Sequence, residues 1–174
     1  LTGTLASNYD IYYRVHAQNF GWLGWAKNGS SAGTAGYSYR LEAIEVRLVE
    51  KGGKAPGSIS RPYVQRYIGY KTHVQDYGWQ DKKYDGQTSG TSGQCKRLEA
   101  IQISLSNPLY SGSIQYQTHV QDYGWQSWKA DGQTSGTSGQ CKKLEAIRIK
   151  LTGQMAEKYD IYYRVHAQDY GWLG

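Results

Sequence analysis

The sequence predicts an all-β fold in which three tandem repeats form a pseudo-threefold, β-prism-like arrangement, with a β-trefoil and an open β-solenoid as the alternatives. Two observations lead to this prediction. The 174-residue chain contains 22 Gly, 17 Tyr and 6 Trp, and its Val, Ile, Thr and Tyr stand in short runs, which is typical of strands joined by tight turns. In addition, Thr72–Gln80 recurs letter for letter as Thr118–Gln126, and Asp85–Lys96 recurs as Asp131–Lys142. One structural unit is therefore used more than once.

The repetition extends beyond these two copies. A more divergent copy contains Val15–Trp22, and Tyr159–Gln168 repeats Tyr9–Gln18, so three repeats form one longer period. A closed threefold domain needs only one copy of the opening strand, and we expect the other copy to pair elsewhere, for example with a neighbouring molecule. We interpret 1–174 as one binding domain with these parts in order: repeat 1 (9–49), a polar linker (50–62), repeat 2 (63–105), repeat 3 (106–151) and the start of repeat 4 (152–174).

Each repeat is predicted to contain three strands. The first strand alternates, with Ile11, Tyr13 and Val15 on the core face. The second strand begins at a Trp and ends at an Asn-Gly or Asp-Gly pair, which tolerates the positive φ of a tight turn. The third strand is predicted to bury its aliphatic side chains together with one hydrogen-bonded glutamate. These buried residues are predicted to be Glu42, Ile44, Val46, Leu48, Glu99, Ile101, Ile103, Leu105, Glu145, Ile147, Ile149 and Leu151.

A Gly-Trp pair, a Gly-rich loop and then Leu-Glu-Ala-Ile with alternating aliphatic residues occur at matching offsets in all three repeats. This combination resembles the ChW repeats, the clostridial hydrophobic repeats with a characteristic tryptophan, and the resemblance covers nearly the whole chain. Proteins of that family are extracellular or cell-surface proteins of Gram-positive anaerobes, and their repeats are thought to bind proteins, cell surfaces or carbohydrates. The resemblance therefore implies a fragment of a larger secreted protein with a binding function, and it implies no catalytic residues.

The repetition itself argues against catalysis. His16, His73 and His119 recur once per repeat, whereas an active site is one constellation, and no nucleophile elbow, HExxH motif or phosphate loop accompanies them. One His per repeat gives zinc no short-range ligand pair, and the Asp-Gly turns lack the alternating oxygens of a calcium loop. We therefore predict no enzymatic activity, no metal and no cofactor. Cys95 and Cys141 are expected to be free, semi-buried thiols, with a disulfide as the alternative if their equivalent positions meet at the threefold axis.

The positive charge of the chain favours anionic partners. The formal net charge is +6 at pH 7, with 20 Lys and Arg against 14 Asp and Glu, and this charge attracts acidic glycans, mucins or wall polymers. The basic residues are dispersed, without a basic helix or a zinc-finger spacing, so nucleic acid is not expected as a partner. No apolar run approaches the roughly 20 residues of a membrane span, so membrane insertion is not expected either.

The predicted ligand contacts are outward polar positions of the first strand and one position at which the repeats differ. At that position repeats 1 and 3 have Trp and repeat 2 has Lys, and we expect it to lie on an exposed strand or rim. Flat rings beside His and Gln donors suit both sugars and protein hot spots. The predicted contacts are Trp25, Lys82, Trp128, His16, His73, His119, Gln18, Gln75 and Gln121.

These observations predict an adhesion module that recognises a glycan or a host or cell-surface glycoprotein. One alternative is a module that binds a host protein such as an immunoglobulin. The other is a structural stalk or spacer that self-assembles through strand pairing.

Overall fold

The computed structural model describes residues 1–106 and 108–174 and divides them into two compact units, Leu1–Arg66 and Tyr67–Gly174. The first unit contains repeat 1, the linker and the first residues of the predicted repeat 2, 63–66, and the second contains the rest of repeat 2, repeat 3 and the start of repeat 4. Each unit has a hydrophobic core of its own, and the single binding domain proposed for 1–174 stays a prediction.

Repeat 1 is a four-stranded antiparallel sheet built on one long strand. The elements of its unit are, in chain order, α1 (Gly3–Asn8), β1 (Tyr9–Ala17), β2 (Gly21–Trp22), β3 (Ala26–Lys27), β4 (Gly33–Ala35), β5 (Leu41–Glu50) and β6 (Tyr63–Gln65). β5 pairs with one edge of β1 along its whole length, and the short strands β2 and β3 share the other edge. β6 pairs in parallel with β4. The segment that follows the linker therefore covers the Gly-rich part of repeat 1.

Repeats 2 and 3 each form a sheet of the same kind as repeat 1. Their strands are, in chain order, β7 (Ile68–Val74), β8 (Gly78–Trp79), β9 (Lys83–Tyr84), β10 (Leu98–Leu105), β11 (Ile114–Val120), β12 (Gly124–Trp125), β13 (Lys129–Ala130), β14 (Ser135–Gly136) and β15 (Leu144–Leu151). β7 pairs with β10, β8 and β9, and β11 pairs with β15, β12 and β13. One strand joins the two repeats, because β14 of repeat 3 pairs with the outer edge of β10 of repeat 2.

The chain after β15 does not rebuild the opening strand of repeat 1. A short helix, α2 (Gly153–Lys158), precedes a two-stranded hairpin of β16 (Val165–Ala167) and β17 (Gly171–Leu173). Within Tyr159–Gln168, only β16 is a strand. Among the described residues, this segment has no long partner strand equivalent to β5. Among the described residues, neither helix is long and apolar enough to cross a membrane.

The predicted tight turns are confirmed. Both residues of each Asn-Gly or Asp-Gly pair have positive φ, between 36° and 88°. The first residue of each pair also exchanges hydrogen bonds with the start of the first strand: in repeat 1 the Asn28 Oδ1 accepts the Ile11 N–H at 3.0 Å, and the Asn28 N–H donates to the Ile11 carbonyl. Asp85 and Asp131 bind Ile68 and Ile114 in the same way. The turn type and its side chain together fix where each sheet begins.

The core of the second unit lies between the sheets of repeats 2 and 3. Its buried centre is formed by Ile103 of β10 and by Ile114 and Tyr116 of β11. Around it pack Ile68, Tyr70, Ile101, Leu105, Ile147, Ile149, Leu151 and Ile161. The predicted core face of the third strand is therefore confirmed for the aliphatic residues of repeats 2 and 3.

The same prediction is wrong for repeat 1. Ile44, Val46 and Leu48 of β5 are exposed, and Ile44 retains 64% of its accessible surface. The small core of this unit lies instead around Val15, Ala17 and Leu23. The alternation indicated an apolar face correctly, but no second sheet covers that face within the unit.

The all-β class and the tandem repeats are confirmed. Each repeat supplies its own open sheet, and among the described residues no sheet closes into a barrel. The β-prism-like, pseudo-threefold arrangement stays a prediction.

Asp10 is a buried carboxylate that joins three elements of repeat 1. It is 1% exposed, and its oxygens lie 2.8 Å from the Lys27 Nζ and 3.0 Å from the Lys51 Nζ, while the Asn28 side-chain amide donates to it at 2.8 Å. Chiefly the bonds from Lys27 and Asn28 hold the pKa of Asp10 well below its usual range. The ionised form therefore stabilises the fold.

We expect Asp10→Asn to lower the free energy of unfolding. A carboxylate with a lowered pKa in the folded state stabilises above its unfolded pKa of about 3.9, and this stabilisation is lost as the pH falls through the folded pKa. The difference between wild type and variant should therefore be largest above about pH 4 and shrink at lower pH, as measured by urea unfolding across a pH series. Asp160→Asn, at the exposed matching position, is the control. An Asp10→Asn difference that grows as the pH falls would contradict the assignment.

Candidate functional site

A His, a Glu and a Trp form the same cluster on the outer face of every complete repeat. The His Nδ1 and the Glu Oε2 are 3.0 Å apart in His16–Glu42, 3.1 Å in His73–Glu99 and 3.0 Å in His119–Glu145. The His ring also meets the indole of its repeat edge to face, with centroids 5.5 Å apart in repeats 1 and 2 and 5.4 Å apart in repeat 3. We call this set the His–Glu–Trp cluster; its indoles are Trp22, Trp79 and Trp125.

A β-bulge in the third strand brings the glutamate to the histidine. In repeat 1, His16 pairs with Ala43 and Ala17 pairs with Leu41, so Glu42 is an extra residue in β5. The register shifts at the same position in the other two repeats. A bulge turns the extra side chain away from the alternation of its strand. The prediction that these glutamates lie on the apolar side is therefore wrong.

The surroundings of the glutamate differ between repeats. Glu99 is 4% exposed, with the Arg97 guanidinium 2.8 Å from its second oxygen. Strand β14 runs beside it, and the Thr137 N–H donates to the Glu99 carbonyl at 2.8 Å. In the described part of the chain Glu42 and Glu145 have no such neighbour strand, and both are exposed. The predicted buried carboxylate thus exists only in repeat 2.

A cation lies over the indole of every cluster. The Arg14 guanidinium is 4.8 Å from the Trp22 centroid, and the Lys71 ammonium is 5.0 Å from that of Trp79. In repeat 3 the first strand has an uncharged Gln at this position, and Arg148 from β15 supplies the cation instead, 4.1 Å from Trp125. These contacts orient the rings. The three indoles nevertheless remain between 36% and 41% exposed.

A family model described as Clostridial hydrophobic W, abbreviated ChW, matches residues 16–50, 73–107 and 119–153. The three matches together cover more than half of the chain. The chain belongs to the ChW repeat family. Each match begins at the His of the His–Glu–Trp cluster and includes its Trp and Glu, so the cluster lies wholly within the ChW repeat. No curated protein and no solved structure matches the chain.

The position at which the ChW repeats differ has three different environments. Trp25 is 4% exposed, so the prediction of an exposed rim is wrong for this residue. The linker covers it: the Trp25 N–H donates to the Ser58 carbonyl at 2.8 Å, and a Cβ at Gly57 would lie 3.0 Å from the Trp25 Nε1. Lys82 is exposed, and its ammonium donates to the Ser104 hydroxyl at 2.9 Å.

Trp128 occupies the third of these environments. It is 41% exposed, and the Lys150 ammonium lies 4.3 Å from its ring centroid. Only repeat 1 is followed by the long polar linker, which explains why Trp25 and Trp128 differ in exposure although their residue type is the same.

The three predicted Gln contacts lie beside the clusters and have backbone roles. The N–H groups of Gln18, Gln75 and Gln121 each donate, at 3.0 Å, to the carbonyl of the basic residue that precedes the third strand. All three side chains are half-buried. The structure thus brings one predicted His and one predicted Gln together in each repeat, and whether they bind a ligand stays a prediction.

Two residues that sequence reasoning missed complete the outer face of repeat 3. They are Arg148 and Lys150 of β15, which are not among the contacts predicted from the sequence. Their alternate spacing on one strand indicated a shared face, but only the structure places each of them beside an indole.

The cysteines are more exposed than predicted. Cys95 and Cys141 are free and exposed, at positive φ of 53° and 55°. Beside them, Lys96 forms an ion pair with Asp76, and Lys142 forms one with Asp122. These ion pairs stabilise the end of each Gly-rich segment.

The burial of Glu99 predicts unequal costs for one substitution in two repeats. Glu99→Ala should lower the free energy of unfolding by about 3 kcal/mol, because it leaves Arg97 and His73 without their buried partner. Glu145→Ala removes an exposed carboxylate and should cost at most about 1 kcal/mol. Both residues belong to one unit, so urea unfolding followed by Trp fluorescence compares them in the same transition. Equal losses would show that burial by β14 does not matter.

Proposed function

We propose that this ChW chain is an extracellular, cell-surface binding module that recognises acidic glycans or glycoproteins. The observation that carries the proposal is the outer face of repeat 3, where two exposed indoles stand beside two cations. We call the set of Trp125, Trp128, Arg148 and Lys150 the basic–aromatic face. We propose no catalytic role for the chain.

The basic–aromatic face has a simple geometry. Arg148 and Lys150 are two residues apart in β15, so their side chains leave the same side of the sheet. Each cation lies over one of the two indoles, at 4.1 and 4.3 Å from the ring centroids. Glu145, the carboxylate of the His–Glu–Trp cluster of repeat 3, is paired with His119.

This combination fits an acidic sugar chain. Carboxylate or sulfate groups pair with Arg and Lys, and the apolar faces of sugar rings pack on exposed indole surface. An extended face suits a polymer, which can contact several weak sites at once and gain affinity by avidity. The net charge of +6 adds long-range attraction to anionic surfaces.

Repeats 1 and 2 lack the complete face. In repeat 1 the residue that matches Arg148 is Glu45, and the linker covers Trp25. In repeat 2 the residues that match Arg148 and Lys150 are the uncharged Gln102 and Ser104. Repeat 3 is therefore our candidate for the main contact.

Exposed tyrosines support a second candidate, the binding of a host protein such as an immunoglobulin. Tyr77 and Tyr123 are exposed beside the Gly-rich segments, and the Tyr77 hydroxyl donates to the Gln94 side chain at 3.2 Å while its ring lies near Lys96. Tyr, Trp and cationic side chains of this kind are typical of protein hot spots.

Trp128→Lys separates stacking from charge. Repeat 2 has Lys at this position, so the fold accepts the substitution. The variant carries one more positive charge, yet we expect it to bind a sulfated glycosaminoglycan about tenfold more weakly, because truncation of a hot-spot indole costs more than about 1 kcal/mol. Isothermal titration calorimetry with heparin measures the change.

Lys82→Ala is the control for that experiment. It removes a positive charge from the same position of repeat 2 and should change the affinity for heparin by less than about twofold. Tighter binding by Trp128→Lys, or no saturable binding by the wild type, would contradict the assignment of the basic–aromatic face.

Purified immunoglobulin, native and enzymatically deglycosylated, separates glycan from protein recognition. Binding in surface plasmon resonance that disappears on deglycosylation supports the glycan reading. Binding of equal affinity in both forms supports the protein reading and contradicts the primary proposal.

A further inference from the structure

Within the second unit, one ChW repeat docks on the next through its Gly-rich segment. β14 of repeat 3 pairs with the outer edge of β10, with Ala100 opposite Gly136 and Ile101 opposite Ser135. The approach is close, because a Cβ on Gly136 would lie 2.4 Å from the Glu99 carbonyl oxygen. β10 is thus an acceptor strand and the Gly-rich segment of repeat 3 is its donor.

Hydrogen bonds on both sides of this short ladder extend the contact. The Thr137 N–H donates to the Glu99 carbonyl at 2.8 Å, and the Gly132 N–H donates to the Ile103 carbonyl at 2.7 Å. The Gln102 side chain also donates to the Thr134 hydroxyl at 2.8 Å. The apolar face of β10 packs on repeat 3 at the same time. Docking therefore satisfies a strand edge and covers an apolar face together.

β5 is the equivalent strand of repeat 1 and has neither of these contacts. Its one strand partner among the described residues is β1. Four large apolar side chains on it are exposed: Leu41, Ile44, Val46 and Leu48. A strand edge of this length beside an apolar face is a site for pairing with another chain.

Repeat 2 carries the matching donor. Its Gly-rich segment, Asp85–Lys96, is identical to Asp131–Lys142, which contains the docked strand β14. In the described part of the chain no strand pairs with Asp85–Lys96. Among the described residues, β5 is thus an acceptor strand with an unpaired outer edge, and Asp85–Lys96 is a donor segment without a strand partner. The second unit already joins an acceptor and a donor of these two kinds.

We propose that β5 binds the Gly-rich segment of repeat 2 from a second copy of this chain. The connection to the next repeat favours a second copy. β10 ends at Leu105 and β11 begins at Ile114, whereas between β5 and β7 the chain forms β6, which pairs with β4. In the second unit, docking occurs between repeats whose strands are joined by a short connection, and β5 has no such short connection to repeat 2.

The register follows from the β10–β14 pair by matching repeat positions. Ala43 lies opposite Gly90 of the second copy, and Ile44 lies opposite Ser89. Glu45 faces Thr88, whose hydroxyl donates to the carboxylate, in place of the bond between Gln102 and Thr134. Donor and acceptor are different surfaces, so the contact is heterologous. Copies therefore add head to tail, in a closed ring if the rotation between copies closes and in an open array if it does not.

Two single variants of the full-length chain test the proposal. Ile44→Glu places a charge on the acceptor strand, and Thr88→Glu places one on the donor opposite Glu45. Ile59→Glu is the matched control, because Ile59 is 63% exposed and Ile44 is 64% exposed, but Ile59 lies in the linker. Sedimentation velocity across a range of protein concentrations measures association, and circular dichroism confirms that each variant is folded.

We expect the wild type and Ile59→Glu to associate with rising concentration and the two interface variants to remain monomeric. An equimolar mixture of Ile44→Glu and Thr88→Glu should then form a dimer and nothing larger, because one intact acceptor and one intact donor remain. A wild type that is monomeric at every concentration overturns the proposal. So does association that Ile44→Glu leaves unchanged, or a mixture that stays monomeric.

Discussion

The ladder between the first and third strands of each repeat, with its single bulge, is the constraint on which the rest of the structure depends. It fixes the apolar faces of two strands on one side of the sheet. At the bulge it turns one glutamate to the other side, beside the histidine. The indole then packs edge to face on that histidine. The outer cluster and the inner face are therefore two consequences of one backbone irregularity.

Much of the fold could be predicted because it is local. Alternation located the long strands, and the Asn-Gly and Asp-Gly pairs located the turns. The bulge could not be predicted, because a count of alternating residues places Glu42 with Ile44. The exposure of Ile44 and the burial of Trp25 could not be predicted either, since each depends on a neighbour: the missing second sheet in one case and the linker at Ser58 in the other. The sequence pattern describes a repeat but not what lies against it.

The same limit explains why the candidate site was only partly predictable. The His and Trp of each cluster repeat and were found, whereas the features that distinguish the repeats come from their neighbours. β14 buries Glu99 in repeat 2, the linker covers Trp25 in repeat 1, and Trp128 of repeat 3 stays open beside Lys150. Arg148 and Lys150 gain meaning only once the sheet places them beside the indoles. Three copies of one ChW unit thus carry different surfaces.

Neighbours, and not repeat sequence, decide the properties of each copy. The two identical Gly-rich segments test it most directly, because their intrinsic exchange rates are equal. Hydrogen exchange of assigned amides by NMR, at a concentration where the chain is monomeric, compares Gly132 and Thr137 with Gly86 and Thr91. We expect the first two amides, which donate to β10, to exchange at least about tenfold more slowly. Equal rates in the two segments would contradict it.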